Sequence, residues 1–482
     1  MDSIERRLVL KGLAATALPV STARSFAADN IESPQLPRLP RLSADEVLFL
    51  APGDALYDKF AIAYNLRTMR RPKLRAVCKT PQAVAAMIAW VRQHDLPFAL
   101  RSGGHSFEGF SQSANVVIDT RLINDARLEH DNLVSVGAGA TLGAVYRFLY
   151  GRGRTIPAGT CPTVGITGHA LGGGYGLLSR ALGLTCDSLV GLELVDANGR
   201  IRRVDRESDP DLLWACRGGG GGSFGAVTRL RFRTHTIGRV TAFGVSWTLP
   251  AERAAAVMTA WQDWAPDAPE SLTSFLRISA FRRGSFQLRC AGQALSSEDD
   301  VYRSLRPLLR SAAPASVYVK AMPFIEAVDR FSGGWQYEST FSKAKSAYVE
   351  TALSREAMMV LFDSLDRAVP AAPTIICDAY GGAISRVPRS ATAFAHRAGT
   401  LYGMQYRTSW ESPQAAPVHL AHIASVYDAM RPHVSKGAYV NYCDLDLADW
   451  PAAYWGGNLD RLREIKADFD PDNVFNHAQS VR

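Results

Sequence analysis

With 482 residues, the chain is longer than one hydrophobic core organises, so two or three domains are expected. Hydrophobic residues at 47%, charged residues at 21% and a mean hydropathy of -0.06 exclude a disordered, collagen-like, coiled-coil or polytopic membrane protein. The net charge of +8 falls to +6 without residues 1–27, which carry four basic and two acidic groups; lacking any Lys/Arg block, it argues for attraction to anionic groups but not for a nucleic-acid face.

Residues 1–27 read as a leader: Arg6 and Arg7 within an RRLVLK core, a mildly apolar stretch with Leu13 and Leu18, then small residues to Ala27. The apolar part is too short to span a bilayer, so no stable membrane insertion is expected. The core fits a twin-arginine signal, which predicts delivery to the Tat export machinery and a periplasmic or secreted protein that folds before export. Seven cysteines with no CxxC pair make neither a disulfide framework nor a zinc site. An odd count in an exported chain leaves at least one thiol free or chemically used.

After a Pro-rich linker from Pro34 to Pro40, Thr80 caps and Pro81 opens a helix with Val84, Met87, Ile88 and Val91 on one face. Strands are expected at 98–100, 116–118 and 133–136, and Thr141 caps a helix ending near Gly151. The runs 189–195 and 201–204 flank Asn198-Gly199, a tight hairpin, and Thr228, Leu230 and Phe232 form the buried side of a further strand. From about residue 240 the pattern changes to longer alternating strands. Phe243, Val245, Trp247 and Leu249 share one face of a strand, as do Tyr402, Met404 and Tyr406, and helices are capped near Ser297 and Ser354. This reads as an antiparallel sheet backed by helices, an α+β arrangement. A short helix around Leu459–Ile465 and the turn Asp470-Pro471-Asp472-Asn473 close the sequence.

Two glycine clusters depart from background. Arg101-Ser102-Gly103-Gly104-His105-Ser106 follows a strand directly, and Gly159–Gly176 holds seven glycines in eighteen residues. Such density lets backbone N–H groups approach an anionic ligand, and residues 132–186 contain no Asp or Glu. A dinucleotide fold of the Rossmann type is excluded: after Gly137 and Gly139 the third glycine, Gly143, falls one position late, and no acid follows for the ribose. Each cluster also carries a nucleophile, His105 or Cys161.

The first cluster resembles the flavin-attachment loop of the vanillyl-alcohol-oxidase/p-cresol-methylhydroxylase superfamily, and the second, with Cys161-Pro162-Thr163, resembles the berberine bridge enzyme family within it. Leu213-Trp214-Ala215-Cys216-Arg217-Gly218, Tyr439-Val440-Asn441-Tyr442 and His477-Ala478-Gln479-Ser480 extend the resemblance over nearly the whole chain beyond the leader. It implies a two-part FAD-binding domain at 69–239, preceded by an extension at 28–68. A substrate domain at 240–434 and a segment 435–482 that returns to the FAD domain complete it.

The resemblance further implies bicovalent FAD, with His105 on the flavin 8α-methyl carbon and Cys161 on ring carbon 6. Imidazole and thiolate are the side chains best suited to attack an electron-poor ring. Arg101, Ser102, Gly103, Gly104, Ser106, Thr163, Gly165, Gly168, His169, Gly172, Gly173, Gly174, Gly176, Tyr439 and Asn441 would surround the cofactor. Tyr442 would be the base, with Asp378, in Asp378-Ala379-Tyr380-Gly381-Gly382, accepting its proton; a turn carboxylate is the competing reading of Asp378. Val164, three residues after the cysteine, would sit where O2 meets the flavin. No metal is expected. Trp335, Tyr337, Tyr402 and Trp410 could form a stacking platform, although aromatic residues at strand spacing are more often core.

The function expected is an exported oxidase of an alcohol carbon, foremost a sugar or oligosaccharide at its anomeric carbon, with hydride passing to flavin N5 and electrons to O2 as peroxide. The alternatives are a tailoring oxidase of an aromatic alcohol or amine, and a flavin-loaded binding protein without turnover. A small-molecule substrate and O2 are the partners implied beside the export machinery.

Overall fold

The computed structural model describes residues 36–482 apart from Asp131, Trp335 and Tyr337. The leader, and two of the four aromatic residues considered for a stacking platform, therefore lie outside the described residues. The fold is α+β, built on three principal sheets.

Near the start, strands Leu74–Cys78, Val116–Asp119 and Phe98–Arg101 pair in parallel, with Val47–Leu50 antiparallel on one edge. The helix Pro81–Gln93 covers this sheet; the Thr80 hydroxyl accepts from Ala83 N–H, as the cap signal predicts, and Val84, Met87, Ile88 and Val91 are buried. A second, antiparallel sheet runs in the order 126–128, 133–137, 226–233, 189–195, 201–205, with the hairpin at Asn198-Gly199 in place. Gly137 and Gly139 serve this fold: a Cβ on Gly137 would strike the Ile123 carbonyl, and one on Gly139 the Thr120 carbonyl. That agrees with denying them a phosphate-binding role.

The third sheet has seven antiparallel strands in the order 316–323, 239–249, 285–294, 272–282, 374–379, 402–410, 341–349. Helices Ala251–Trp264, Arg355–Arg367 and Ala416–Met430 pack on one face through Trp261, Phe362 and Tyr427. Period-two alternation sends Trp247, Cys377, Tyr402 and Tyr406 into that core and turns Arg277, Ile376, Asp378, Gln405 and Arg407 to the other face, which fronts the glycine loops. The stacking-platform expectation fails for both described members. Tyr402 is fully buried edge-on to Trp261, and Trp410 stacks between Phe341 and His419.

The segment after residue 435 crosses back over the glycine loops. It is anchored by Lys466, whose buried ammonium donates to the Ser223 and Phe475 carbonyls and to Asp470. No helix among the described residues is long and apolar enough to cross a membrane.

Candidate active site

A cavity of about 710 Å³ separates the glycine loops from the sheet. That size is within the range of cofactor and ligand sites, which run to roughly 1,000 Å³.

One wall is backbone. The 103–106 loop leaves strand Phe98–Arg101 with Gly104 at φ 73°, a left-handed conformation that suits glycine. Gly103 and Gly165 lie against each other so closely that a Cβ on Gly165 would come to 2.5 Å from Gly103 N. Arg101 is buried, donates to the Ile62 carbonyl at 2.5 Å and lies 3.9 Å from Asp119. Burial alone would raise the carboxyl pKa of Asp119, but Arg121, Arg101 and Arg75 outweigh that and hold it below its usual value. Ser102 donates to the Ala138 carbonyl, and the Ser106 hydroxyl caps Phe110 N–H.

His105 stacks on Tyr64 at 4.2 Å, and its Nε2 lies 3.1 Å from the Thr163 hydroxyl. That same hydroxyl lies 3.5 Å from Cys161 Sγ, so one threonine links the two nucleophiles. Burial, then Arg101, push the His105 pKa down to about 3, which keeps the imidazole neutral at neutral pH. The other six cysteines are buried, and burial raises the pKa of each. Cys161 alone is half-exposed, and it opens on the cavity.

Gly168, His169 and Gly176 line the cavity as well. His169 accepts from Gly159 N–H, and burial lowers its pKa to about 4. Gly172, Gly173 and Gly174 are not among the residues that line it. A Cβ on them would meet Asn441, Phe394 and Thr185 respectively, so these glycines admit neighbouring side chains. Thr163 also stands behind the cavity surface, acting through His105 and Cys161. Val164 lines the cavity and packs on the core beneath.

The facing wall is made of side chains. Tyr439 accepts hydrogen bonds from Gly174 N–H and Asn441 Nδ2, and Asn441 also donates to the His169 carbonyl, so the returning segment is bound to the glycine loop. Beyond it Tyr442 stands edge-on to Tyr439 and Phe107. Asp378 belongs to strand Thr374–Ala379, facing Phe275 and Gly403 across the ladders, and not to a turn. Neither the Tyr442 phenol nor the Asp378 carboxylate has a hydrogen-bond partner among the described residues, and both line the cavity. Burial, then the Asp378 charge, hold the Tyr442 pKa well above 10, while burial pushes Asp378 up to about 7.

A buried ion network positions this pair of walls. Lys343 bonds Glu108 at 2.7 Å and Asp444 at 2.6 Å, tying the His105 loop to the Tyr442 segment, and Lys345 also grips Asp444. The sequence reading missed these groups, the cavity-lining glycines 219–222, Ser111 and two arginines, Arg277 and Arg407.

An FAD binding domain model matches residues 72–205 and a berberine and berberine-like model matches 438–482. The uncharacterized FAD-linked oxidoreductase YgaK of Bacillus subtilis is 36% identical over 89% of this chain and 95% of its own length. Monolignol oxidoreductase AtBBE-like 13 of Arabidopsis thaliana is 31% identical over 83% of this chain and 81% of its own. The chain belongs to the berberine bridge enzyme-like family of FAD-linked oxidoreductases. Among solved structures of this family's fold, a chitooligosaccharide oxidase is 26% identical, covers 90% of this chain and 97% of its own, and superposes with a TM-score of 0.82.

The residues present fit FAD. Gly168 leaves open space where a side chain would project, the nearest atom to a Cβ on Gly221 is 3.8 Å away, and the buried Ser111 hydroxyl on the cavity wall lacks a partner among the described residues. The protein is an FAD-dependent oxidoreductase.

Proposed function

We propose that the protein is an exported oxidase that holds FAD through covalent bonds from both His105 and Cys161 and oxidises an alcohol carbon, foremost the anomeric carbon of a sugar or oligosaccharide. One observation carries this reading: the cavity sets two linked nucleophiles on one wall opposite a phenol and a carboxylate that no described residue bonds. FAD, when bound, supplies the two-electron acceptor and returns the electrons to O2 as peroxide. As the substrate hydroxyl gives its proton to the Tyr442 oxygen, the phenolic proton moves to Asp378. A carboxyl group with a pKa of about 7 suits that task, because proton acceptors work best near the ambient pH.

Two tests address this reading. Acid-denatured protein is expected to stay yellow, as are His105→Ala and Cys161→Ala singly, whereas the double variant should release its flavin; loss of all flavin from denatured wild type refutes the linkage. Peroxide release against sugars, aryl alcohols and amines then identifies the substrate. An aryl alcohol is the second reading, favoured by the monolignol-oxidising relative and by Phe275, Phe331 and Tyr64 on the cavity wall. Export by the Tat machinery rests on Arg6 and Arg7. Changing both to lysine should retain active, flavin-loaded enzyme in the cytoplasm, and unchanged export would refute that signal.

A further inference from the structure

The cavity carries an imbalance of charge. Among the described residues lining it, Asp378 is the sole carboxylate, while Arg101, Arg277 and Arg407 supply cationic groups. Arg101 belongs to the Asp119 cluster. Arg277 and Arg407 do not: the Arg277 guanidinium makes no hydrogen bond or ion pair with any described residue, and Arg407 donates to the Tyr64 hydroxyl with no described carboxylate paired to it.

Their location follows from the sheet register. Arg277 pairs directly with Arg289 on one neighbouring strand and with Ile376 on the other, and Ile376 pairs with Gln405. Arg407 stands one alternation further along its strand, opposite Thr374. All project from the cavity-facing side of the sheet or its mouth, since residues directly paired across strands point the same way. Asp378 lies two residues from Ile376, about 7 Å along the strand. The arginines therefore stand further along the cavity-facing side of the sheet than the carboxylate.

Arg277 is exposed in the cleft; partial burial, then the neighbouring Arg407 and Arg289 charges, lower its pKa, so this guanidinium is held beside like charge with no described residue bonded opposite it. Like charges gathered in a cleft raise the local concentration of an anion and strengthen its binding once water is displaced. Structural arginines in this protein are arranged differently: Arg75, Arg180 and Arg397 are buried against carbonyls or carboxylates. A guanidinium also matches a carboxylate with two parallel hydrogen bonds.

We propose that Arg277 and Arg407 form an anion subsite that selects a substrate carrying a carboxylate away from the oxidised carbon, in the sugar series a uronic acid. This rests on the alcohol-oxidase reading for the reactive end of the substrate, but the subsite itself is a matter of binding. Glucuronate and glucose are a matched pair of probes, differing in one carboxylate.

The experiment uses the FAD-loaded wild type, Arg277→Gln and Arg407→Gln, with retained flavin absorbance as the check on folding. Calorimetry measures binding of each sugar, and peroxide release measures turnover. The subsite predicts that wild type prefers glucuronate by at least about tenfold, that the preference weakens with added salt, and that it falls towards parity in each variant. That pattern in binding with no oxidation of either sugar would sustain the subsite and refute sugar oxidation. Equal binding of the two sugars, binding of neither, or a preference that survives both substitutions would overturn the subsite and leave any measured oxidase activity standing.

Discussion

On the glycine side of the cavity, shape is set by main chain: Gly103 abuts Gly165, and Gly176 abuts the Ala158 carbonyl, with no space for a side chain between them. On the sheet side it is set by side chains: Tyr442, Asp378, Gln405 and Arg407 project from rigid strands and from a segment bound to the loops. A backbone wall can hold one large planar molecule and tolerates little change. A side-chain wall can be altered one residue at a time without moving the frame. A family that includes a monolignol oxidoreductase and a chitooligosaccharide oxidase is what such a division permits.

The strongest test of that division is Gly165→Ala. Its methyl would meet Gly103 N at 2.5 Å, main chain against main chain, so flavin loading should be lost almost completely, as read from the ratio of flavin to protein absorbance. Normal loading would show that the loop yields and that the contrast is overstated. Tyr442→Phe should do the opposite, keeping loading intact while turnover falls by about 10²–10⁴, the usual worth of a positioned proton acceptor. A loss of flavin there would make Tyr442 part of the cofactor wall.

Val164 belongs to the glycine side but faces the cavity. Val164→Leu should leave flavin reduction nearly unchanged and slow reoxidation in air by at least about tenfold, roughly 1.4 kcal/mol of barrier, because one more methylene fills the space O2 would use. Equal reoxidation rates would remove it as a gate.

The smallest effect concerns pH. Asp378 has a native pKa of about 7 against an ordinary value of 3.8, so the folded state binds its proton more tightly than the unfolded state. Its contribution to stability is therefore present below pH 4 and is lost as pH rises to about 7. If Asp378 takes the proton as proposed, turnover should rise over a limb centred near pH 7. Asp378→Asn is expected to flatten both dependences, in thermal melts and in the kcat/KM profile; an unchanged limb would assign it to another group.

Much of the glycine side was legible in the sequence, because close backbone approach leaves glycine as its mark and caps such as Thr80 and Thr141 mark helix starts. Even so, density alone did not separate glycines that face the cavity from Gly172, Gly173 and Gly174, which make space for Asn441, Phe394 and Thr185. The sheet side was legible as strands but not as a site. Arg277 and Arg407 each occupy a polar position in an alternating run, the same pattern a solvated face produces, and only the register shows that this face fronts a cavity. Tyr402 and Trp410 illustrate the converse, since aromatic residues suggestive of a platform fill the core instead. The Lys343 network was invisible because Glu108, Lys343 and Asp444 are distant in sequence and meet through folding.

That returning segment also sets a schedule. Ser106 and Cys443, in contact at 3.8 Å, are separated by 337 residues of chain. A ribosome makes the glycine loops early and Tyr442 late, so domains that fold as they emerge shape the glycine side first. A partly made chain therefore has only one wall of the cavity, and the second is added when the final strap is laid across it.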